Sequence, residues 1–356
     1  MSYRVIQWAT GNVGKEAIRG ILAHPELELA GCWVHSDAKR GRDVGEIIGE
    51  SSTGILATNS IDDVLATDAD CVVYTPLLAD VAEVVALVRS GKNVVTPLGW
   101  FYAKSAPGAP EVEAACQDAG VSVHGTGIHP GGITERFPLT ISSMSRNITH
   151  VRAEEFSDIR SYAAEFVVKE IMLFGKDPDV AKNSSMLDLL GSGFLQSVDM
   201  IADAIGITLD AEKRSTHEMA LATAPIDTQF GPLAKGTVAA QRFTWQGTVG
   251  GTAVVTARVN WLMGEEHLEP AWNFGPEGER FEVEVSGDPN VSATFHGLHP
   301  SEAAAGLERN PGLIATAMNC VSAVPYVVRS EPGILSYLDL PLVSGRADTR
   351  LADGGC

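Results

Sequence analysis

Two glycines near the start of the chain carry the first chemistry that can be read from it. They lie in Trp8-Ala9-Thr10-Gly11-Asn12-Val13-Gly14. Gly11 stands where a side chain would block an approaching pyrophosphate, and Gly14 where a helix must pack close to a strand. Backbone N–H groups over Thr10, Gly11, Asn12 and Val13, backed by a helix dipole, form an anion cradle. The pattern is G-x-G-x-x-G with Ala9 in the place of the first glycine. An ordinary strand-to-helix turn would use the same residues. The context favours a dinucleotide: a buried strand at Tyr3 to Trp8, the turn, a helix at Lys15 to Ala23, and a second strand from Leu27 to His35.

At the end of that second strand a dinucleotide fold selects its cofactor, because an acid there bonds the ribose 2′-hydroxyl and a base or hydroxyl accommodates a 2′-phosphate. The chain reads His35-Ser36-Asp37-Ala38-Lys39-Arg40-Gly41-Arg42. Asp37 comes one or two residues late for the acid. With His35 and Ser36 as contacts and Lys39 or Arg40 as counter-charge, NADP(H) is expected, with NAD(H) as the weaker alternative. The plainer reading makes Lys39, Arg40 and Arg42 a solvated loop.

The elements that must position these residues alternate over the first 125 residues or so. Strands at 71–74, 93–96 and 121–124 are separated by helices near Val81 to Val88 and Glu111 to Ala119. This alternation predicts a Rossmann-type α/β fold with a doubly wound parallel sheet. Ligands then lie beyond the carboxyl ends of the strands, which adds Thr75, Pro76, Thr96, Gly127 and Ile128 to the expected cofactor contacts. Beyond Arg136 the pattern changes to period-two strands, such as Val255, Ala257, Val259 and Trp261, and a helix carrying Phe194, Val198, Ile201 and Ile205. Two domains are expected from 356 residues. Residues 1–136 are the dinucleotide-binding domain, and 137–309 are a substrate-binding and dimerisation domain with a mixed or antiparallel sheet. Residues 310–356 are a candidate to pack back onto the first.

A net charge of -19 argues against nucleic acid as a partner. The five cysteines show no C-x-x-C and no zinc spacing, so neither a disulfide framework nor a metal site is expected. No apolar run reaches membrane-spanning length and no leader is visible, so a cytoplasmic protein acting on a small molecule is expected.

The chain resembles proteins with a dihydrodipicolinate-reductase N-terminal domain and, within them, 2,4-diaminopentanoate dehydrogenase and the native amine dehydrogenases. The resemblance rests on residues 8–14, on Asn93-Val-Val-Thr96, on Gly127-Ile-His-Pro-Gly131 with Phe137-Pro-Leu139, and on Pro332-Gly-Ile334 with Asp339-Leu-Pro341. It implies NAD(P)-linked hydride transfer in a homodimer. Two positions depart from the pattern. Where amine dehydrogenases carry a glutamate after the fourth strand, Thr96-Pro-Leu-Gly-Trp-Phe-Tyr102 has no acid, and the family's asparagine before Pro-Gly is His129. The paired-histidine motif of dihydrodipicolinate reductases is absent.

Hydride transfer needs a water-poor pocket and a route for the proton. Trp100 and Tyr102 are expected as one pocket wall, and a helix carrying Tyr162, Phe166 and Phe174 as another, with core packing as the alternative for both. The proton candidates are His129, Tyr102 and Glu135. A carbonyl substrate would ask for an acid, His129 or Tyr102; an iminium would ask for a proton acceptor, with Glu135 nearest by sequence. The plainer readings are a turn histidine and a Glu135–Arg136 ion pair. Three functions stay open: NADP(H)-dependent reduction of a C=O or C=N bond in a small apolar substrate, amine dehydrogenation with an acid from elsewhere, and a dinucleotide sensor without turnover.

Overall fold

A computed structural model describes residues 2–162, 164–301, 309–348 and 351. The chain divides into two compact units, Met1–Gly131 with Leu313–Cys356, and Gly132–Gly312. Cys356, the last of the five cysteines, lies outside the described residues.

In the first unit the elements run β1 (Tyr3–Trp8), α1 (Asn12–Ala23), β2 (Leu27–Trp33), α2 (Val44–Ile48), α3 (Ile61–Ala66), β3 (Cys71–Tyr74), α4 (Val81–Arg89), β4 (Asn93–Thr96), α5 (Ala109–Ala119) and β5 (Ser122–Gly125). Helix α1 begins three residues before the expected Lys15 because Gly11 is still extended, at φ -70 and ψ -172, and serves as its N-cap. Ile18 and Ile21 on its inner face are fully buried, which stabilises the unit by about 1.5–3 kcal/mol each. Ser60 and Asp80 cap α3 and α4 by accepting from backbone N–H groups of their first turns.

The second unit contains α6 (Arg136–Ser142), β6 (Arg146–Asp158), α7 (Pro178–Lys182), α8 (Met186–Ala204), β7 (Arg214–Ala222), β8 (Val238–Val249), β9 (Thr252–Leu262), β10 (Leu268–Glu269), β11 (Arg280–Asp288) and β12 (Val291–Phe295). Then α9 (Pro311–Val327) and β13 (Gly333–Leu335) follow. β13 pairs in parallel with β5, placing the C-terminal run on the edge of the first sheet. The six-stranded sheet has the order β13-β5-β4-β3-β1-β2, and its pairings are all parallel. Helices α1, α2 and α9 contribute to the core on one face, and α3, α4 and α5 to that on the other. This is the doubly wound Rossmann-type arrangement that the alternation of elements predicts.

The second sheet has the order β10-β7-β8-β9-β6-β11-β12. It is mixed, since β6 and β9 run parallel while β6–β11 and β8–β9 are antiparallel. Val151 of β6, Val255, Ala257 and Val259 of β9 and Val285 of β11 share a core with Phe194, Val198 and Ile201 of α8.

The expected helix carrying Tyr162, Phe166 and Phe174 is not continuous. A 3-10 turn ends at Ser161 and a π-turn occupies Val167–Ile171, so helical spacing does not relate the three rings. Phe174 is fully buried in the core, Tyr162 is half-buried, and Phe166 is 63% exposed. Among the described residues no helix is long and apolar enough to cross a membrane.

Candidate functional site

The glycine turn is built from its buried side. Gln7, an amide inside a buried strand, donates from Nε2 to the carbonyls of Trp8 (3.1 Å) and Ala9 (3.0 Å) and to Thr75 Oγ1 (2.8 Å). Thr75 in turn donates to the Trp8 carbonyl at 3.1 Å. Ala9 has φ 73, the left-handed region where glycine is at ease and alanine costs about 1–2 kcal/mol. The first-glycine position therefore keeps the glycine backbone without the glycine residue, held by Gln7 and Thr75. Gly14 is needed for close approach: a Cβ there would lie 2.3 Å from the Ala9 carbonyl oxygen. A Cβ on Gly11 would meet nothing within 4 Å, which leaves the outer face of the turn open to a phosphate.

Lysine 39 is tied into this turn. Its Nζ donates to the Thr10 carbonyl at 3.2 Å and to Thr10 Oγ1 at 3.0 Å. Burial, with the charge of nearby Lys15, pulls its ammonium below the usual lysine range. Arg40 is exposed, and neither it nor Lys15 makes an ion pair among the described residues. Arg42 lies 4.0 Å from Glu46. Lys15, Lys39 and Arg40 are thus a local cationic set on an acidic protein. Asp37, the late acid, is engaged by Asn59 Nδ2 at 2.6 Å. His35 and Ser36 are exposed at the strand end.

The ends of β4 and β5 are laced together. Thr126 N–H donates to the Thr96 carbonyl (2.9 Å), and Gly125 N–H donates to that of Trp100 (3.1 Å). Thr96 Oγ1 accepts from Leu98 N–H at 3.2 Å. Trp100 is buried at φ 54 and packs with Ala106 and Ala109, the packing role that a buried aromatic run also permits. Tyr102 is buried too, with Lys104 Nζ 5.6 Å from its ring centroid. Pro76, Ile128 and His129 are half-buried, and Gly127 is buried. The loop carrying Gly127, Ile128 and His129 is closed by two hydroxyls, of Thr126 and Tyr337, which lie 2.6 Å apart and reach the Gly131 carbonyl at 2.9 and 2.8 Å. Gly131 has φ 109, and a Cβ would lie 2.5 Å from the Thr126 carbonyl. Tyr337 stands edge-on to His124, whose ring bonds the Leu335 carbonyl through Nδ1 at 2.9 Å. Burial pushes His124 down to about 4, so it is neutral.

In the second unit, Glu135 is fully buried just before α6 and accepts a hydrogen bond from the Ser197 hydroxyl of α8. On β6 two consecutive glutamates differ sharply. Glu154 is bonded by Arg152, Arg258 and Asn260. Among the described residues Glu155, on the opposite face, accepts only from the Ser157 hydroxyl (2.6 Å) and the Trp261 indole (3.0 Å), both at Oε1. Burial pushes its carboxyl up to about 7.

Gln7, Tyr337 and Glu155 carry no motif, and sequence reading passed them over. The usable signals were a single amide inside an apolar parallel strand and a glutamate breaking the alternation of an apolar face.

The family model for the 2,4-diaminopentanoate dehydrogenase C-terminal domain matches residues 134–350, and that for the dihydrodipicolinate reductase N-terminus matches residues 5–97. An amine dehydrogenase of Streptomyces virginiae is 32% identical over 355 residues, covering 95% of this chain and 96% of that protein. The 2,4-diaminopentanoate dehydrogenase of Acetoanaerobium sticklandii is 23% identical over 330 residues, 91% of this chain and 86% of that one. The solved structure of an amine dehydrogenase from Mycobacterium smegmatis superposes with a TM-score of 0.78 at 18% identity, covering 97% and 98% of the two chains. It shows the same fold.

Proposed function

Because the chain belongs to the 2,4-diaminopentanoate dehydrogenase family, and so to the dinucleotide-dependent oxidoreductases, we propose that it is an NADP(H)-dependent amine dehydrogenase. It joins ammonia to a small, largely apolar ketone or aldehyde and reduces the resulting C=N bond, or runs the reverse oxidation. The observation that carries the cofactor assignment is Arg40, exposed and without an ion pair among the described residues, beside a glycine turn whose one late acid, Asp37, is engaged by Asn59. The reaction is supported by likeness to the Streptomyces virginiae amine dehydrogenase along nearly the whole chain.

When bound, the nicotinamide supplies or takes the hydride. The chain's own residues do the rest. Thr10, Gly11, Asn12, Val13 and Gly14 hold the pyrophosphate on backbone N–H groups. Arg40 and the strand end at His35 and Ser36 meet the 2′-phosphate. Thr75, Pro76, Thr96, Gly127 and Ile128 line the strand ends where the rest of the dinucleotide passes. Trp100, Tyr102, Tyr162 and Phe166 are proposed around the substrate, and His129, Tyr102 and Glu135 as groups able to move a proton. A homodimer is part of the proposal, checked by light scattering.

A second reading, simple carbonyl reduction with His129 or Tyr102 as acid, is favoured by the absence of any carboxylate between Thr96 and Tyr102. Both are tested by following NADPH consumption with a panel of small ketones and aldehydes, each with and without ammonium chloride. Turnover that requires ammonia supports amine dehydrogenation; turnover without it supports carbonyl reduction. Tight NADPH binding with no turnover across the panel would refute both.

A further inference from the structure

The glycine turn lacks its first glycine, yet the residue in that place keeps the glycine backbone. In a G-x-G-x-x-G turn the first glycine supplies the tight bend at the strand end. Here Ala9 supplies it at φ 73, a conformation that a residue with a Cβ keeps only where its surroundings over-determine it. Bonds at both ends do so. Ala9 N–H donates to the Trp33 carbonyl at 2.9 Å, and the Ala9 carbonyl accepts from Gln7 Nε2 at 3.0 Å.

Gln7 reaches that carbonyl from inside β1. It is fully buried and shares a strand face with Val5, whose core cluster includes Ala17 and Ile18 of α1. A Cβ on Gly14 would lie 3.1 Å from Gln7 Nε2 and 2.3 Å from the Ala9 carbonyl oxygen. Amide and carbonyl therefore both lie directly beneath the first turn of α1. The bonds also have a direction. Thr75 serves the Trp8 carbonyl twice, from its backbone N–H and from its hydroxyl, each at 3.1 Å. The two hydrogens of Gln7 Nε2 are then free for the Thr75 hydroxyl oxygen at 2.8 Å and the Ala9 carbonyl. Rotating the amide by half a turn would set its oxygen against the carbonyls of Trp8 and Ala9, so the partners fix its orientation. Gln7 Oε1 is buried with no hydrogen-bond partner among the described residues. The fold thus leaves one acceptor unsatisfied while both donors are spent on the turn.

We propose that Gln7 is a positioning residue for the dinucleotide. By holding the Ala9 carbonyl against Gly14 it makes an alanine adopt the backbone of the first glycine, which keeps the N–H groups of Gly11, Asn12 and Val13 available to the pyrophosphate. The proposal rests on the dinucleotide reading of the turn and is independent of the choice between NADP(H) and NAD(H) and of the reaction. Because Gln7 lies on the buried side of the turn, its loss acts on the cofactor through Ala9. A glycine at position 9 would adopt the same backbone without strain. Gln7 would then have little left to hold, so the two positions are coupled.

Four proteins test this: wild type, Gln7→Met, Ala9→Gly and the double variant, each titrated with NADPH and with NADH by fluorescence and each melted. Methionine keeps an unbranched side chain of similar length and removes both donors. Gln7→Met is expected to weaken both cofactors alike, by about tenfold or more, whereas Ala9→Gly alone stays within about twofold of wild type. The double variant is expected to recover to within about threefold of wild type. A residue that only stabilised the fold would lower the melting temperature in both backgrounds and leave the affinity of the folded protein unchanged. If the methionine variant fails to fold, the isosteric Gln7→Glu, whose ionised carboxylate donates nothing, is taken through the same cycle. Unchanged affinities in the Gln7 variant, or a loss as large in the glycine background as in the alanine one, overturn the proposal. A wild type that binds neither cofactor refutes the dinucleotide reading and the positioning role together. The melts then still report the clamp, which makes loss of Gln7 lower the melting temperature less in the glycine background.

Discussion

Lys39→Met separates two tasks that a basic loop after the second strand invites one to merge. In the fold, Lys39 spends its ammonium on Thr10, with Nζ at 3.2 Å from the carbonyl and 3.0 Å from the hydroxyl. Arg40, exposed and without an ion pair among the described residues, is the side chain at liberty to meet a 2′-phosphate. A hydrogen bond from a charged donor contributes about 1.5–3 kcal/mol, and partial exposure of Lys39 puts the effect at the lower end. The expected loss on removing it is about tenfold in dinucleotide affinity. If the turn holds the pyrophosphate common to both cofactors, as proposed, the loss should fall on NADPH and NADH alike. Arg40→Ala should instead weaken NADPH roughly 10–100-fold and leave NADH within twofold. Fluorescence titration of each variant with each reduced cofactor measures both ratios. If Lys39→Met weakened NADPH while sparing NADH, Lys39 would be the phosphate reader and the clamp reasoning would be wrong.

Other expectations follow from the same geometry. Gly14→Ala places a Cβ 2.3 Å from the Ala9 carbonyl, so it should cost about 1–3 kcal/mol of stability and remove dinucleotide binding; a thermal melt and a titration matching wild type would contradict the close-approach argument. Tyr337→Phe deletes the hydroxyl on Gly131 and Thr126 and should cost about 1 kcal/mol and lower kcat through a loosened His129 loop, as read by urea unfolding and steady-state rates. His124 is held at about 4 by burial, below its unfolded value of about 6.5. Above both values it contributes nothing to pH dependence; as pH falls through 6.5 only the unfolded chain gains the proton, and stability is lost until pH 4. Between pH 6.5 and 5 this amounts to about 2 kcal/mol, and His124→Gln should remove that part of the slope in urea titrations at the two pH values.

Much of the first unit was legible because its signals are local. A strand, a glycine turn and a helix occupy contiguous residues, and the alternation of apolar strands and helices reports a parallel sheet without knowledge of contacts. Gln7, Lys39 and Tyr337 were another matter, because each bonds a group that the fold brings to it, Gln7 reaching the Thr75 hydroxyl across 68 residues of sequence. Lys39 reaches Thr10 across 29 residues of sequence, and Tyr337 reaches Gly131 across 206. The helix expected around Tyr162 to Phe174 failed for a related reason. The ring spacing fitted a helix, but a 3-10 turn and a π-turn break the segment, placing Phe174 in the core and leaving Phe166 exposed.

The sequence by itself determined the class of fold, the strand, glycine turn and helix at its start, and the kinship with nucleotide-dependent dehydrogenases, since all three are written in residue type at short spacing. The tertiary structure alone decided which charged groups are committed. Glu154 and Glu155 are identical neighbours in the chain, yet the two-residue period of a strand sends one to a pair of arginines and the other to an apolar face where Ser157 and Trp261 are its donors among the described residues. Which glutamate meets counter-charges and which meets only neutral donors is a property of the face each occupies, and strands distant in sequence build that face.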